Sequence, residues 1–286
     1  MSTPLYWSIR REIWENRSIY IAPLVVAGVF LFGFLIGLLV WSHRMRDFAA
    51  LDPAKQRSAI ILPYSMAASM ILMTGFIVAI FYCVDALHGE RRDRSILFWK
   101  SLPVSDQTTV FSKAAVPMVV LPLVTFAIAL ATQLVMLPLH AVAFMASGVN
   151  PVILLTKLPL FQMTLIMAYG ATVHVLWFSP IYGWLLLVSA WAKRAVFIWA
   201  FLPVFVPYAV ETVAFRTQSV VQFLKYRIVG AMGEAFNLEP GKHQVTKFSQ
   251  LDPLGFLTSP GLWAGLLFAA ACIVLAVRLR RLREPI

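Results

Sequence analysis

Residues 158 to 192 contain no Asp, Glu, Lys or Arg. A run of about 35 such residues is longer than the roughly 20 apolar residues that cross a bilayer's hydrocarbon core as a helix. It is not alone. Ile21 to Trp41, Ala59 to Val84 and Ala114 to Leu139 are further apolar runs. Inside hydrocarbon the backbone must satisfy its own hydrogen bonds, so each run is predicted to be a helix. In the long run, Pro159 and Pro180 predict a lead-in segment and a kink, with the span at about 164–191. Ala195 to about Val213, interrupted by Pro203 and Pro207, is the fifth span, with Glu211 near its end. Gly261 to Val277 is the sixth; Ser259 is a candidate N-cap and Pro260 suits a first helical position. The expected fold is therefore all-α: a polytopic membrane protein with six transmembrane helices.

Composition agrees. The 286 residues are 60% hydrophobic and 13% charged, against about 25% charged in ordinary soluble domains. The net charge of +11 reads as basic membrane flanks and not as a nucleic-acid surface, for no soluble domain carries a basic stripe. Six spans put both termini on one side. With that side cytoplasmic, fourteen of the 24 Lys and Arg lie inside and ten outside. The short "AKRA" loop and the tail "RLRRLREPI" are the clearest inside markers. The expectation is a multi-pass protein of the cell (inner) membrane with both termini cytoplasmic. No cleavable signal peptide is expected, since the first apolar run lacks a small-residue cleavage site.

Ahead of span one, "PLYWSIRREIWENRSIY" places Leu5, Tyr6, Ile9 and Ile13 on one helical face and Arg11, Glu12 and Glu15 largely on the other. Trp7 and Trp14 suit the headgroup level. Residues 1–20 are read as an interfacial N-terminal helix that turns into span one at about Pro23; a merely frayed amphipathic start is the bland alternative. Residues 21–286 form the six-span domain, with a cytoplasmic loop at 85–113. The outer segment 214–260 is too long for a tight turn and is read as short helices at the interface or a small external cap.

Catalytic chemistry is not visible. Phosphate-loop, H-E-x-x-H and G-x-S-x-G patterns are missing. The spans hold no paired carboxylates, and five histidines are scattered at no metal-ligand spacing. Cys83 and Cys272 both lie in apolar runs, which argues against a disulfide. No catalytic residue, metal site or bound cofactor is expected, and the chain is not expected to be an enzyme. His174 is the one ionisable group central to a span. It is either part of a translocation path, since ionisable groups inside membranes are functional by default, or a neutral imidazole hydrogen-bonded between helices.

The oddest stretch is "GERRDRSILFWKSLPVS", residues 89–105. Glu90, Arg91, Arg92, Asp93, Arg94 and Lys100 stand beside Ile96, Leu97, Phe98 and Trp99. It reads as a charged extension of span two, then a short helix that stops at Pro103, which disfavours helix at Leu102. Ser105 or Asp106 would cap the next helix, leading through Lys113 into span three. A short helix on two stiff stalks can transmit force; a solvated, interface-anchored loop is the alternative.

With its continuation, "GERRDRSILFWKSLPVSDQTTVFSK" resembles the loop between spans two and three of ABC-transporter permeases of the type-2 export family. Glu90, Arg91, Leu102, Pro103, Val104, Ser105 and Lys113 match that pattern. Where the family commonly has Gly-Thr-Leu, this chain has Arg94-Ser95-Ile96. The resemblance implies six spans, an interfacial N-terminal helix and a cytoplasmic coupling helix. It implies two ABC ATPase subunits as partners, which bind ATP and Mg themselves, and a second permease subunit as homodimer or heterodimer. Glu90, Arg91, Arg92, Asp93, Arg94, Ile96, Leu97, Phe98, Trp99, Leu102 and Pro103 would then be the ATPase-coupling residues. A substrate such as a lipid, drug or peptide would be exported through the paired spans, amid membrane lipid. The alternative from another class is a non-transporting membrane scaffold or assembly factor.

Overall fold

The computed structural model describes residues 4–41, 52–95, 104–215, 217–237, 245 and 247–282. They are overwhelmingly helical. A short helix α1 (Pro4–Glu15) precedes α2 (Ser18–Trp41) and α3 (Pro53–Asp85). A one-turn α4 (His88–Arg92) extends α3, and α5 (Asp106–Ala115) continues through a π turn at Val116–Val120 into α6 (Leu121–Ala146). After α7 (Val152–Lys157) come α8 (Leu160–Trp191) and α9 (Val196–Val210), the latter extended by a second π turn at Glu211–Phe215. The segment between α9 and the final described helix folds as α10 (Ser219–Ala235), a 3-10 turn at Phe248–Gln250 and α11 (Pro253–Thr258), before α12 (Pro260–Leu282).

Six of these helices or helix pairs are long and apolar enough to span a membrane: Ser18–Val40, Pro53–Arg92, Asp106–Ala146, Leu160–Trp191, Val196–Phe215 and Pro260–Leu282. The six expected spans are all present, and most run beyond their apolar cores because polar residues carry on the helix outside hydrocarbon. Two local expectations are corrected. The chain breaks at Asn16 and Arg17, and Pro23 lies inside α2. The Ser259 hydroxyl donates back to the Phe256 carbonyl (2.8 Å) and does not cap α12. The cap expected before α5 is Ser105, whose Oγ accepts from Thr108 N at 3.1 Å.

The contacts divide the chain into two compact units. One comprises Ser18–Ile77 and Leu121–Ala171. Here α2 packs along α6, and Tyr64, Ile60, Met136 and Phe144 are fully buried between helices. A second layer, Ala27, Ala68, Ile71, Ala129 and Met167, brings small residues together so that helices approach closely. Two polar contacts cross its helices: Gln133 Nε2 donates to the Tyr64 carbonyl (3.2 Å), and Tyr64 Oη lies 3.4 Å from His140 Nδ1. The His140 ring is also flanked edge-on by Phe34 and Phe144.

The other unit comprises Met1–Arg17, Val78–Val120 and Thr172–Ile286. Here α5 packs against both α1 and α12. Leu87, Val110, Ala190, Ala276 and Val277 form an apolar cluster among α5, α8 and α12. Pro180 lacks the N–H that would bond the Leu176 carbonyl, and the Ser179 hydroxyl takes that acceptor at 2.9 Å. On α10, Arg227 stacks over the Trp177 ring at 4.8 Å and donates to the carbonyls of Trp177 and Gly261, pinning that helix to α8 and to the start of α12. Glu211 caps α10 by accepting from Ser219 N, Val220 N and the Thr217 hydroxyl.

Gly183 is where α8 and α12 touch. A Cβ there would lie 3.1 Å from the Ala269 backbone, which cannot swing away as a side-chain end can. Gly183→Ala is expected to lower stability in detergent by about 1–3 kcal/mol through overpacking. Gly28→Ala, with open space around its Cβ, is expected to be neutral or to stabilise by up to about 1 kcal/mol through helix propensity. Thermal melts followed by size-exclusion chromatography measure both.

A candidate functional site built from buried charges

In the first turns of the chain, the face of α1 that carries Ser8 and Glu12 is turned inward. Glu12 is fully buried, while Tyr6, Trp7 and Trp14 are half or more exposed. The sequence led us to expect Glu12 on the polar, outer side of an amphipathic helix. It points inward because a cation waits there. Lys113 Nζ lies 3.0 and 3.2 Å from the two Glu12 oxygens. Arg11 Nη2 donates to Glu12 Oε1 at 2.7 Å, and the Tyr82 hydroxyl donates to Oε2 at 2.7 Å.

Lys113 is shared. Its Nζ also lies 3.2 Å from Glu90 Oε1, which is 3.5 Å from Arg11 Nη2. Glu90 Oε2 accepts from Arg280 Nη1, and Arg280 Nε donates to Asp106 Oδ1 at 3.0 Å. The result is a chain of three cations (Arg11, Lys113, Arg280) and three carboxylates (Glu12, Glu90, Asp106), buried at its centre, with the exposed Glu15 added at its rim on Arg11 (3.6 Å). An ion withdrawn from water costs several kcal/mol unless partners replace its hydration. Here each replaces the other's.

The helices explain the geometry. Glu12 precedes span one, Tyr82 and Glu90 end span two, Asp106 and Lys113 begin span three, and Arg280 ends span six. Alternating crossings put all these points on one side of the bundle, so no charge has to sit at mid-membrane. The start of α5 is fixed by its Ser105 cap, which places Asp106 in the first turn, where an acid is favoured.

Span four joins through Arg91. This side chain is 3% exposed, and its Nη2 donates to the Ser189 and Ala192 carbonyls at the C-terminal end of α8. Leu87 N and His88 N both donate to Ser189 Oγ (3.0 and 2.9 Å). A cation on the last carbonyls of a helix satisfies orphan acceptors and suits the dipole. Glu90 and Arg91 are thus supports of the segment, turned inside. Arg92, Asp93 and Arg94 form its exposed surface, Arg92 pairing with Asp93 (3.0 Å) and Asp85 (3.5 Å). Arg94 turns the chain with φ +57°. Ile96, Leu97, Phe98, Trp99, Leu102 and Pro103 lie outside the described residues.

Two contacts of His174 lie within α8: its Nε2 is 3.0 Å from Tyr182 Oη, and its ring packs on Phe178 at 4.7 Å. They select neither a translocation path nor a bond between helices. Sequence reasoning missed Glu12 as a hub, and it ended span three one residue short of the buried His140. The signal for Glu12 was present in Trp7, Arg10 and Trp14, whose three- and four-residue steps mark the outward face and leave Glu12 opposite. Among the described residues no three His, Cys, Asp or Glu gather as a metal site.

Burial pushes the Glu12 carboxyl upward, but the charge of Lys113, the hydrogen bonds from Arg11 and Tyr82 and the charge of Arg11 outweigh it and hold the pKa below its ordinary value. For Arg11, burial lowers the pKa, and the bond to Glu12 with the neighbouring carboxylates raises it further than burial lowers it.

The chain matches no protein-family model, no curated protein and no solved structure.

Lys113→Met leaves Glu12 and Glu90 short of their common cation and is expected to cost about 3–5 kcal/mol. Glu12→Gln combined with Lys113→Met is expected to recover part of that loss in thermal melts. The Glu12 contribution has a definite pH sign. A carboxyl whose folded pKa is depressed stabilises fully above its unfolded value of about 4.3, and that contribution is lost as pH falls through the folded value. Melting temperature is expected to fall on acidification below about pH 4.3, and Glu12→Gln to flatten that fall.

Proposed function

We propose that this chain is the membrane-spanning subunit of an ATP-driven exporter of the ABC type, with hydrolysis in separate ATPase subunits. The observation that carries the reading is the clamping of both stalks of the 92–104 segment. On one side, Glu90 and Arg91 fix the end of span two to Arg280, Lys113 and the end of α8. On the other, Asp106 and Lys113 fix the start of span three to Arg280 and Glu12. A load on the exposed Arg92, Asp93 and Arg94 therefore reaches, through Glu90 and Arg91, the ends of spans two, three, four and six, and α1 ahead of span one.

A subunit with no catalytic group of its own needs such a handle. Energy arrives as movement of a partner, and a two-state bundle is biased by where that partner holds the loop. Arg92, Asp93 and Arg94 are the exposed charges such a partner meets, and Glu90, Arg91, Leu102, Pro103, Val104, Ser105 and Lys113 carry the resemblance to coupling segments. In this reading the loop and both termini face the cytoplasm of the cell membrane. Two permease chains, identical or not, pair around a substrate path, and the exported compound is a lipid, a hydrophobic drug or a peptide.

Purification of the tagged chain from its native membranes in mild detergent, followed by mass spectrometry, tests the proposal. A stoichiometric ATPase is the expected companion. Charge reversal at Arg92, Asp93 and Arg94 together is expected to reduce its recovery about tenfold or more, the scale of repulsion at a like-charged contact, with melting of the chain unchanged. A chain that purifies with non-ATPase partners only would overturn the proposal in favour of a scaffold. Labelling of a cysteine placed after Leu282 is expected only from the cytoplasmic side.

A further inference from the structure

α1 wears its polarity inside out. Its inward face carries Ser8 and Glu12, both buried. Its outward face carries Tyr6 (54% exposed), Trp7 (50%) and Trp14 (62%), with Arg10 between the two tryptophans. The Arg10 guanidinium lies 5.2 Å from the Trp7 ring centroid and 4.5 Å from that of Trp14. Tyr6 packs edge-on against Trp7 at 5.6 Å. No carboxylate shares this face: Glu12 is spent in the buried cluster, and Glu15 lies to the side with Arg11 at 3.6 Å. Arg17 follows in the turn and is exposed.

We propose that this outward face is a docking surface for the anionic headgroups of glycerophospholipids in the bilayer surface beside span one. Chain length places it there. Only Asn16 and Arg17 separate α1 from Ser18, where the span begins, and two residues reach roughly 7 Å at most. Tryptophan and tyrosine favour that level because their rings are apolar and their N–H and O–H groups are polar. Arginine supplies the selection. Its planar guanidinium stacks on aromatic faces while its N–H edge stays available to a phosphate, which it can grip with two parallel bonds. The tryptophan pair, already filled by Arg10, is closed to the quaternary ammonium of a choline headgroup. A cationic face with no acid on it is complementary to an anionic lipid and gains little from a zwitterionic one. The surface is the reverse side of the helix that carries Glu12, so lipid held on one face bears on the buried cluster held by the other.

The full chain reconstituted in phosphatidylcholine vesicles tests this, with brominated phosphatidylglycerol or brominated phosphatidylcholine as the fluorescence quencher. The chain has nine tryptophans, so the signal of the two on α1 is taken as the difference between wild type and Trp7→Phe/Trp14→Phe. The brominated anionic lipid is expected to quench that difference signal more than the brominated zwitterionic one. Arg10→Gln is expected to reduce the preference roughly fivefold, the contribution of one basic residue at such a surface. Arg10→Lys, which keeps the charge, is expected to retain most of it, and added salt to weaken it. Equal quenching by both lipids, quenching by neither, or an Arg10→Gln variant with the wild-type preference would each overturn the proposal. Loss of the preference on adding inorganic phosphate, at an ionic strength at which sodium chloride leaves it in place, would also overturn it, by showing a phosphate site in place of a lipid surface.

Discussion

One lysine holds the charged end of the bundle together, because a buried carboxylate without a partner is costly. Lys113 Nζ touches Glu12 at 3.0 and 3.2 Å and Glu90 at 3.2 Å. Those three contacts join a helix before span one, the end of span two and the start of span three. Arg280 then extends the chain of charges to the end of span six, and Arg91 brings in span four. Apolar packing alone would give these helix ends many equivalent arrangements, since lipid tails are as apolar as the side chains. Charges whose partners must be found at 3 Å admit few. The cluster adds little net stability relative to an apolar replacement, and its effect is to select one arrangement of helix ends.

The legibility of the chain follows from the same contrast. The spans were readable because a bilayer demands about 20 apolar residues per crossing, a demand visible in one dimension. Ser105 as a cap was readable because it precedes a helix locally. Glu12 was misread because in "SIRREIWEN" its neighbours are charged, and charged neighbours suggest solvent. Its true partners, Tyr82, Lys113 and, through Glu90, Arg280, are 70 or more residues away. Glu90 and Arg91 stand out in the sequence as part of a charged segment read as ATPase-coupling, yet their burial depends on helix ends that no local pattern announces. His140 lay one residue past the expected end of span three, since a histidine reads as polar although Tyr64, Phe34 and Phe144 enclose it.

The opposite end of the unit that carries the charged cluster is built on a different principle. There Arg227 has no carboxylate in contact among the described residues and is held by carbonyls and the Trp177 ring. Burial lowers its pKa, yet a guanidinium stays charged throughout the working range of a protein. Glu211 is likewise satisfied by backbone N–H groups and a hydroxyl and not by a cation. One end of this unit is fastened by matched ions and the other by single ions gripping backbone. The second kind of fastening uses directional hydrogen bonds that act over a short range and break locally.

The bond between Arg280 and Glu90 also has a place in time. The two residues are 190 positions apart. At ordinary synthesis rates roughly 10 to 40 seconds pass between their emergence. For most of that interval Glu90, Asp106 and Lys113 are already made, and Arg280, which pairs with both of those carboxylates, does not yet exist. Until Arg280 is made, Glu90 and Asp106 lack the one side chain that joins them, so the contact among the ends of spans two, three and six is a late event in the life of the chain.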